Sequence, residues 1–110
     1  MNHFDKSAID RQEFLQKLKS AILICDENAN VILYGSRARG DERVDSDWDL
    51  LVVTSKKTGY NEEDKIRENI YKIELEHLQP ISTTIVDKQS WNDWEILPFY
   101  TNIKREGIIL

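Results

Sequence analysis

Val31-Ile32-Leu33-Tyr34-Gly35-Ser36-Arg37-Ala38-Arg39-Gly40, continued by Ser46-Asp47-Trp48-Asp49-Leu50-Leu51-Val52-Val53, decides how this chain is read. The run from Val31 to Tyr34 reads as a short buried strand, and Gly35 ends it. Trp48–Val53 reads as a second strand. Side chains alternate across a strand, so Asp47 and Asp49 fall on one face and Trp48 and Leu50 on the other. Two carboxylates held together repel, and one resists ionisation unless a cation sits between them. Such paired hard oxygens suit Mg²⁺, which takes one or two carboxylates together with substrate phosphates. Just upstream, Gly35-Ser36 closes one strand and opens what should be a helix N-terminus. Backbone N–H groups there, with the Ser36 hydroxyl, suit phosphate. Glycine at the first position lets the backbone approach a ligand closely.

Two simpler readings of the same stretch fail. Gly35 and Gly40 have the glycine spacing of a P-loop, but Asp41 stands where its lysine must be. Asp45, Asp47 and Asp49 resemble the opening of a calcium loop. Leu50 replaces the glycine of that loop, however, and Lys56 its final glutamate. A phosphate cradle facing a metal-binding acid pair remains, and nucleotidyl transfer requires that arrangement.

Outward from this stretch, strands and helices alternate. Asp10 with Glu13 gives a capped helix start, and Phe14, Leu15, Leu18, Ile22 and Cys25 form its apolar stripe. Asp26–Asn30 is a polar turn and Ser55–Gly59 a polar connection. Asn61 is expected to cap a second helix, whose apolar side is Ile66, Ile70, Ile73 and Leu78. Pro80 ends that region, and Ile81–Val86 is a third strand rich in β-branched residues. Phe99–Glu106 is a helical stretch closed by Gly107. The expected architecture is α/β (α+β): a small mixed β-sheet flanked by helices, in a single domain over residues 1–110.

Composition narrows the partners. With 110 residues, 40% hydrophobic and 32% charged, the chain has a globular balance rather than that of a disordered one. Fifteen Lys plus Arg against twenty Asp plus Glu give a net charge of −5, which opposes bulk nucleic-acid binding. A lone Cys25 fits a reduced, cytoplasmic compartment. No apolar run approaches the ~20 residues that span a bilayer, and the polar Met1–Asp5 start is no signal peptide. His3 and His77 have no partners at metal-ligand spacing. Trp91, Trp94, Phe99 and Tyr100 read first as core. Lys56-Lys57 and Lys104-Arg105 read as solvated faces.

The pattern Gly-Ser-x3-Gly-x5-Ser-Asp-x-Asp resembles the signature of the DNA polymerase beta-like nucleotidyltransferase superfamily. The short chain is similar to its minimal branch, often encoded as an antitoxin beside a HEPN-domain protein. The resemblance implies a polymerase beta-like nucleotidyltransferase core. It implies that Gly35 and Ser36 hold nucleotide phosphates and that Asp47 and Asp49 are catalytic and bind Mg²⁺. Arg37 and Arg39 lie in the same turn, within reach of phosphate. The implied reaction moves a nucleoside monophosphate from an NTP, with ATP the first expectation, to a hydroxyl such as a tyrosine of a HEPN-type toxin. Self-association is left open. The alternative is a nucleotide-binding or nucleotide-free antitoxin that occludes its partner. What favours it is a departure from the family pattern: active members carry a third carboxylate on the strand after the second long helix. Here that strand is Ile81-Ser82-Thr83-Thr84-Ile85-Val86, with Thr84 or Ser82 at the expected place and Asp87 on the wrong alternation.

Overall fold

Asp10 accepts a hydrogen bond from the Glu13 N–H at 3.1 Å and so starts α1 (Arg11–Cys25), as its spacing predicts. The structure, a computed structural model, describes residues 10–110; the expectations for His3 and for the Met1–Asp5 start lie outside that range. The remaining elements are β1 (Asn30–Tyr34), α2 (Ser36–Arg39), β2 (Trp48–Thr54), α3 (Tyr60–His77), β3 (Ile81–Asp87), α4 (Lys88–Asp93), α5 (Pro98–Glu106) and β4 (Ile108–Ile109).

The strands form one mixed sheet in the order β3-β2-β1-β4. β1 runs antiparallel to β2 and to β4, whereas β2 and β3 are parallel and joined through α3. Alternation along β1 and β2 sorts their apolar residues onto two faces. Val31, Leu33, Trp48, Leu50 and Val52 pack with Phe14, Leu18 and Ile22 of α1 and Ile66, Ile70 and Ile73 of α3. Ile32, Leu51 and Val53 pack on the other face with Val86 and with Ile103 of α5. Each such side chain stabilises the fold by roughly 1.5–3 kcal/mol on burial. No described helix is long and apolar enough to cross a membrane.

Three local expectations are revised. α3 starts one residue before Asn61: Gly59 is its N-cap, and the Glu62 carboxylate reaches back to accept from the Gly59 N–H at 2.9 Å. Gly107 closes α5 as expected, but as its C-cap in an extended conformation, with its N–H on the Ile103 carbonyl. Glycine is needed there because a Cβ would meet Ile32 Cγ2 at 2.6 Å. The aromatic group divides. Trp91 and Tyr100 pack against the second core, while Trp94 and Phe99 remain about half exposed, at 45% and 46%.

Asp26 ties the turn after α1 to the end of β2. Its carboxylate accepts from the Ser55 N–H and hydroxyl, both at 2.8 Å, and from the Asn28 N–H at 3.1 Å. Partial burial alone would raise its pKa, but these hydrogen bonds and Lys56 outweigh that and lower it. A carboxyl with a lowered folded-state pKa contributes stability above its unfolded pKa and loses it as pH falls through the folded one. Asp26→Asn should therefore cost about 1 kcal/mol at pH 7. The difference from the parent in urea denaturation should shrink below pH 4.

Candidate active site

Gly35 brings the ends of β1 and β2 together. Its φ of +76° and ψ of −160° lie in a region that side chains avoid, and no side chain could be accommodated there. A Cβ on Gly35 would collide with Asp49 Oδ2 and sit 3.1 Å from Asp49 Cγ. The Asp49 carboxyl thus rests against bare backbone at the point where β1 gives way to α2. The turn continues with Ala38 and Arg39 N–H on the Gly35 carbonyl and Gly40 and Asp41 N–H on the Ser36 carbonyl. Helix geometry leaves the amides before these, Ser36 and Arg37, without intrahelical acceptors.

Asp49 is the second residue of β2 and pairs across the sheet with Tyr34. Asp47 precedes the strand and is exposed. The pKa of Asp49 is raised, first by burial and then by the charge of Asp47, with Arg39 opposing. The acid pair and Arg39 therefore act on one another electrostatically. A carboxyl held back from ionisation by burial and a like charge is one that a bound cation would relieve. The hard oxygens of Asp47 and Asp49 fit one divalent ion. Among the described residues no cluster of three or more His, Cys, Asp or Glu could hold a metal.

The two arginines of the turn differ. Arg39 is paired to Asp41 at 3.2 Å and Glu106 at 3.1 Å on an exposed edge. Arg37 turns the other way. Its Nη2 donates to the Ser46 carbonyl at 2.9 Å and the Val44 carbonyl at 3.3 Å, and its guanidinium lies 4.4 Å from the Trp48 ring centroid.

On β3, register places Ser82 beside Asp49 and Thr84 beside Leu51, on the Asp49 face. Tyr34 and Thr84, on the strands flanking β2, lie on that same face. The Tyr34 pKa is raised by burial, against the effect of the Thr84 side chain and with the charges of Asp49 and Tyr100 adding to the rise. Asp87 pairs with Thr54 on the opposite alternation and is the N-cap of α4, accepting from Ser90 N–H at 3.0 Å and Ser90 Oγ at 2.8 Å. Tyr34 and Glu106 escaped the sequence reading. Nothing local marks either one: their roles depend on strand register and on where α5 docks. A cavity of about 730 Å³ lies at the other end of β2, lined by Asp26, Ser55, Lys56 and Lys65, away from these groups.

The nucleotidyltransferase domain family matches residues 11–108. A crystal structure of a protein from Sulfolobus solfataricus, assigned as a nucleotidyltransferase, superposes with a TM-score of 0.62. It is 18% identical and covers 98% of this chain and 87% of its own, a likeness that shows the fold. No curated protein matches the chain.

Proposed function

The chain belongs to the nucleotidyltransferase domain family, and from that premise we propose that it transfers a nucleoside monophosphate from an NTP, by preference ATP, to a hydroxyl of another molecule. The observation that carries the reading is the Asp49 carboxyl lying against the bare backbone of Gly35. It brings a metal-binding acid to a turn with amides free for phosphate. Asp47 and Asp49 would hold Mg²⁺, and Gly35, Ser36 and Arg39 the phosphates. When bound, the ion supplies charge neutralisation on the phosphates and alignment of the attacking and leaving oxygens. Arg39 offers a fork of donors at an exposed edge and can exchange its carboxylate partners for phosphate oxygens. In the reaction the acceptor oxygen bonds to the α-phosphorus, the bond to the β-phosphate oxygen breaks, and pyrophosphate leaves. The acceptor proton needs a base. The resemblance to HEPN-partnered antitoxins suggests a tyrosine of such a partner as acceptor, in a cytoplasmic setting.

A second reading, a nucleotide-binding antitoxin that acts by occlusion, is favoured by one specific observation. The face beside Asp49 carries Ser82 and the Tyr34–Thr84 pair where a third carboxylate would serve as base.

The shared nucleotide site is tested by thermal unfolding with Mg–ATP. A ligand that binds only the folded state stabilises it by about 2.7 kcal/mol at a hundredfold excess over Kd. The parent should show that rise, and Asp47→Asn with Asp49→Asn should show none. Without ligand the sign reverses. Asp49 has a raised folded-state pKa, so its ionised form opposes folding at neutral pH, and this penalty disappears as pH falls. The double variant should then be more stable than the parent at pH 7, with the gap closing in acid. A parent unaffected by millimolar Mg–ATP would overturn the site.

A further inference from the structure

We propose that Arg37 is a positioning residue for the metal-binding acids, acting through the main chain on either side of Asp47. This rests on the reading of Asp47 and Asp49 as cation ligands. Asp47 is exposed, so packing does not hold it; its neighbours do. On its N-terminal side, residues 43–46 form a turn closed twice. The Ser46 N–H donates to the Arg43 carbonyl at 3.1 Å, and the Arg43 N–H donates to Ser46 Oγ at 2.8 Å. Arg37 grips the carbonyls of this turn with Nε on Ser46 at 3.3 Å and Nη2 on Ser46 and Val44. On its C-terminal side, Trp48 is 1% exposed. It is fixed by its indole N–H on Gln79 Oε1 at 3.0 Å and its backbone N–H on the Pro80 carbonyl at 2.9 Å. The same guanidinium covers that indole. Arg11 secures the clamp from outside, donating to the Arg37 carbonyl at 2.8 Å and lying 5.5 Å from the Trp48 ring centroid.

One planar side chain therefore joins the residue before Asp47 to the residue after it. It fixes the backbone of Asp47 relative to Asp49, which sits in the sheet. Lysine keeps the charge but lacks the flat fork that binds two carbonyls and stacks on a ring.

The sign of the effect on metal affinity distinguishes this role from plain electrostatics. Removing a positive charge from the segment that carries the carboxylates should strengthen cation binding if charge alone matters. Positioning predicts weaker binding. Groups that orient metal ligands typically account for about 10- to 100-fold in affinity. We expect Arg37→Gln and Arg37→Lys each to raise the Kd for Mn²⁺, read as free Mn²⁺ by electron paramagnetic resonance, by at least about tenfold. Measurements are made well below each variant's unfolding midpoint, with folding checked by circular dichroism. Lys72→Gln, an exposed charge removal on α3, should leave the Kd unchanged. Folded Arg37→Gln and Arg37→Lys that bind Mn²⁺ as tightly as the parent, or more tightly, would overturn the proposal while leaving the acid site standing. A parent that binds no Mn²⁺, or binds it equally well as Asp49→Asn, would instead overturn the reading beneath it.

Discussion

Ser82→Asp is expected to raise nucleotide transfer by roughly 10²–10⁴-fold, the usual worth of a positioned general base. Ser82 is exposed, lies on the Asp49 face of β3 and is the register partner of Asp49. A carboxylate there would stand beside the acid pair, available to the proton of the incoming hydroxyl. Thr84→Asp should gain less. Thr84 lies one alternation further along the strand, beside Leu51 rather than Asp49, so a new charge there stands further from the acid pair. Asp87→Asn should leave transfer unaltered and loosen only α4, whose N-cap it is. The measurement is transfer of labelled nucleotide to a cognate partner by the parent and the three variants. A parent that is already fast and is silenced by Asp87→Asn would show that Asp87 serves as the base. If the parent and both aspartate variants bind their partner but never label it, occlusion becomes the better account.

Gly35→Ala should be the most damaging single change at the site. Alanine in that backbone region costs about 1–3 kcal/mol from conformation alone, and its methyl group would enter the space of the Asp49 carboxylate. Relief requires Asp49 to swing away from the turn. Loss of Mn²⁺ binding should therefore accompany the loss of stability in urea. Gly40→Ala is the matched comparison: φ is +83°, but a Cβ there meets nothing within 4 Å. It should cost about 1–2 kcal/mol and leave Mn²⁺ binding intact. Equal loss of metal binding in both variants would mean that the contact between Gly35 and Asp49 is incidental.

The parts of this protein that follow from short-range pattern were legible in the sequence. Four consecutive buried-type residues before Gly35 gave β1, the apolar run after Asp49 gave β2, and Asp10 with Glu13 gave the start of α1. The Asp-x-Asp pair was visible because it occupies adjacent alternate positions. Features that depend on distant chain meeting chain were not legible. Arg37 and Arg39 look equivalent in sequence, two residues apart. Yet α2 points one at Trp48 and the other at Glu106, 67 positions away. β4 is only two residues long and exists because α5 returns the chain to the free edge of β1. α4 was findable: Asp87 followed three residues later by Ser90 is a capping pattern.

The position of β2 inside the sheet also governs how the site moves. β2 is hydrogen-bonded along both sides, to β1 and to β3, and four of its seven residues are no more than 1% exposed apolar side chains. Amide hydrogens in such a strand exchange with solvent only through openings whose free energy approaches that of global unfolding. Asp49 therefore belongs to a strand that opens last, whereas Asp47 and Arg39 lie on the connection between β1 and β2, whose turn and side-chain hydrogen bonds open at a lower free energy than the sheet. A ligand gripping both would transfer the protection of the strand to that segment, so its arrival should be recorded as slowed exchange over residues 36–47 far more than within β2 itself.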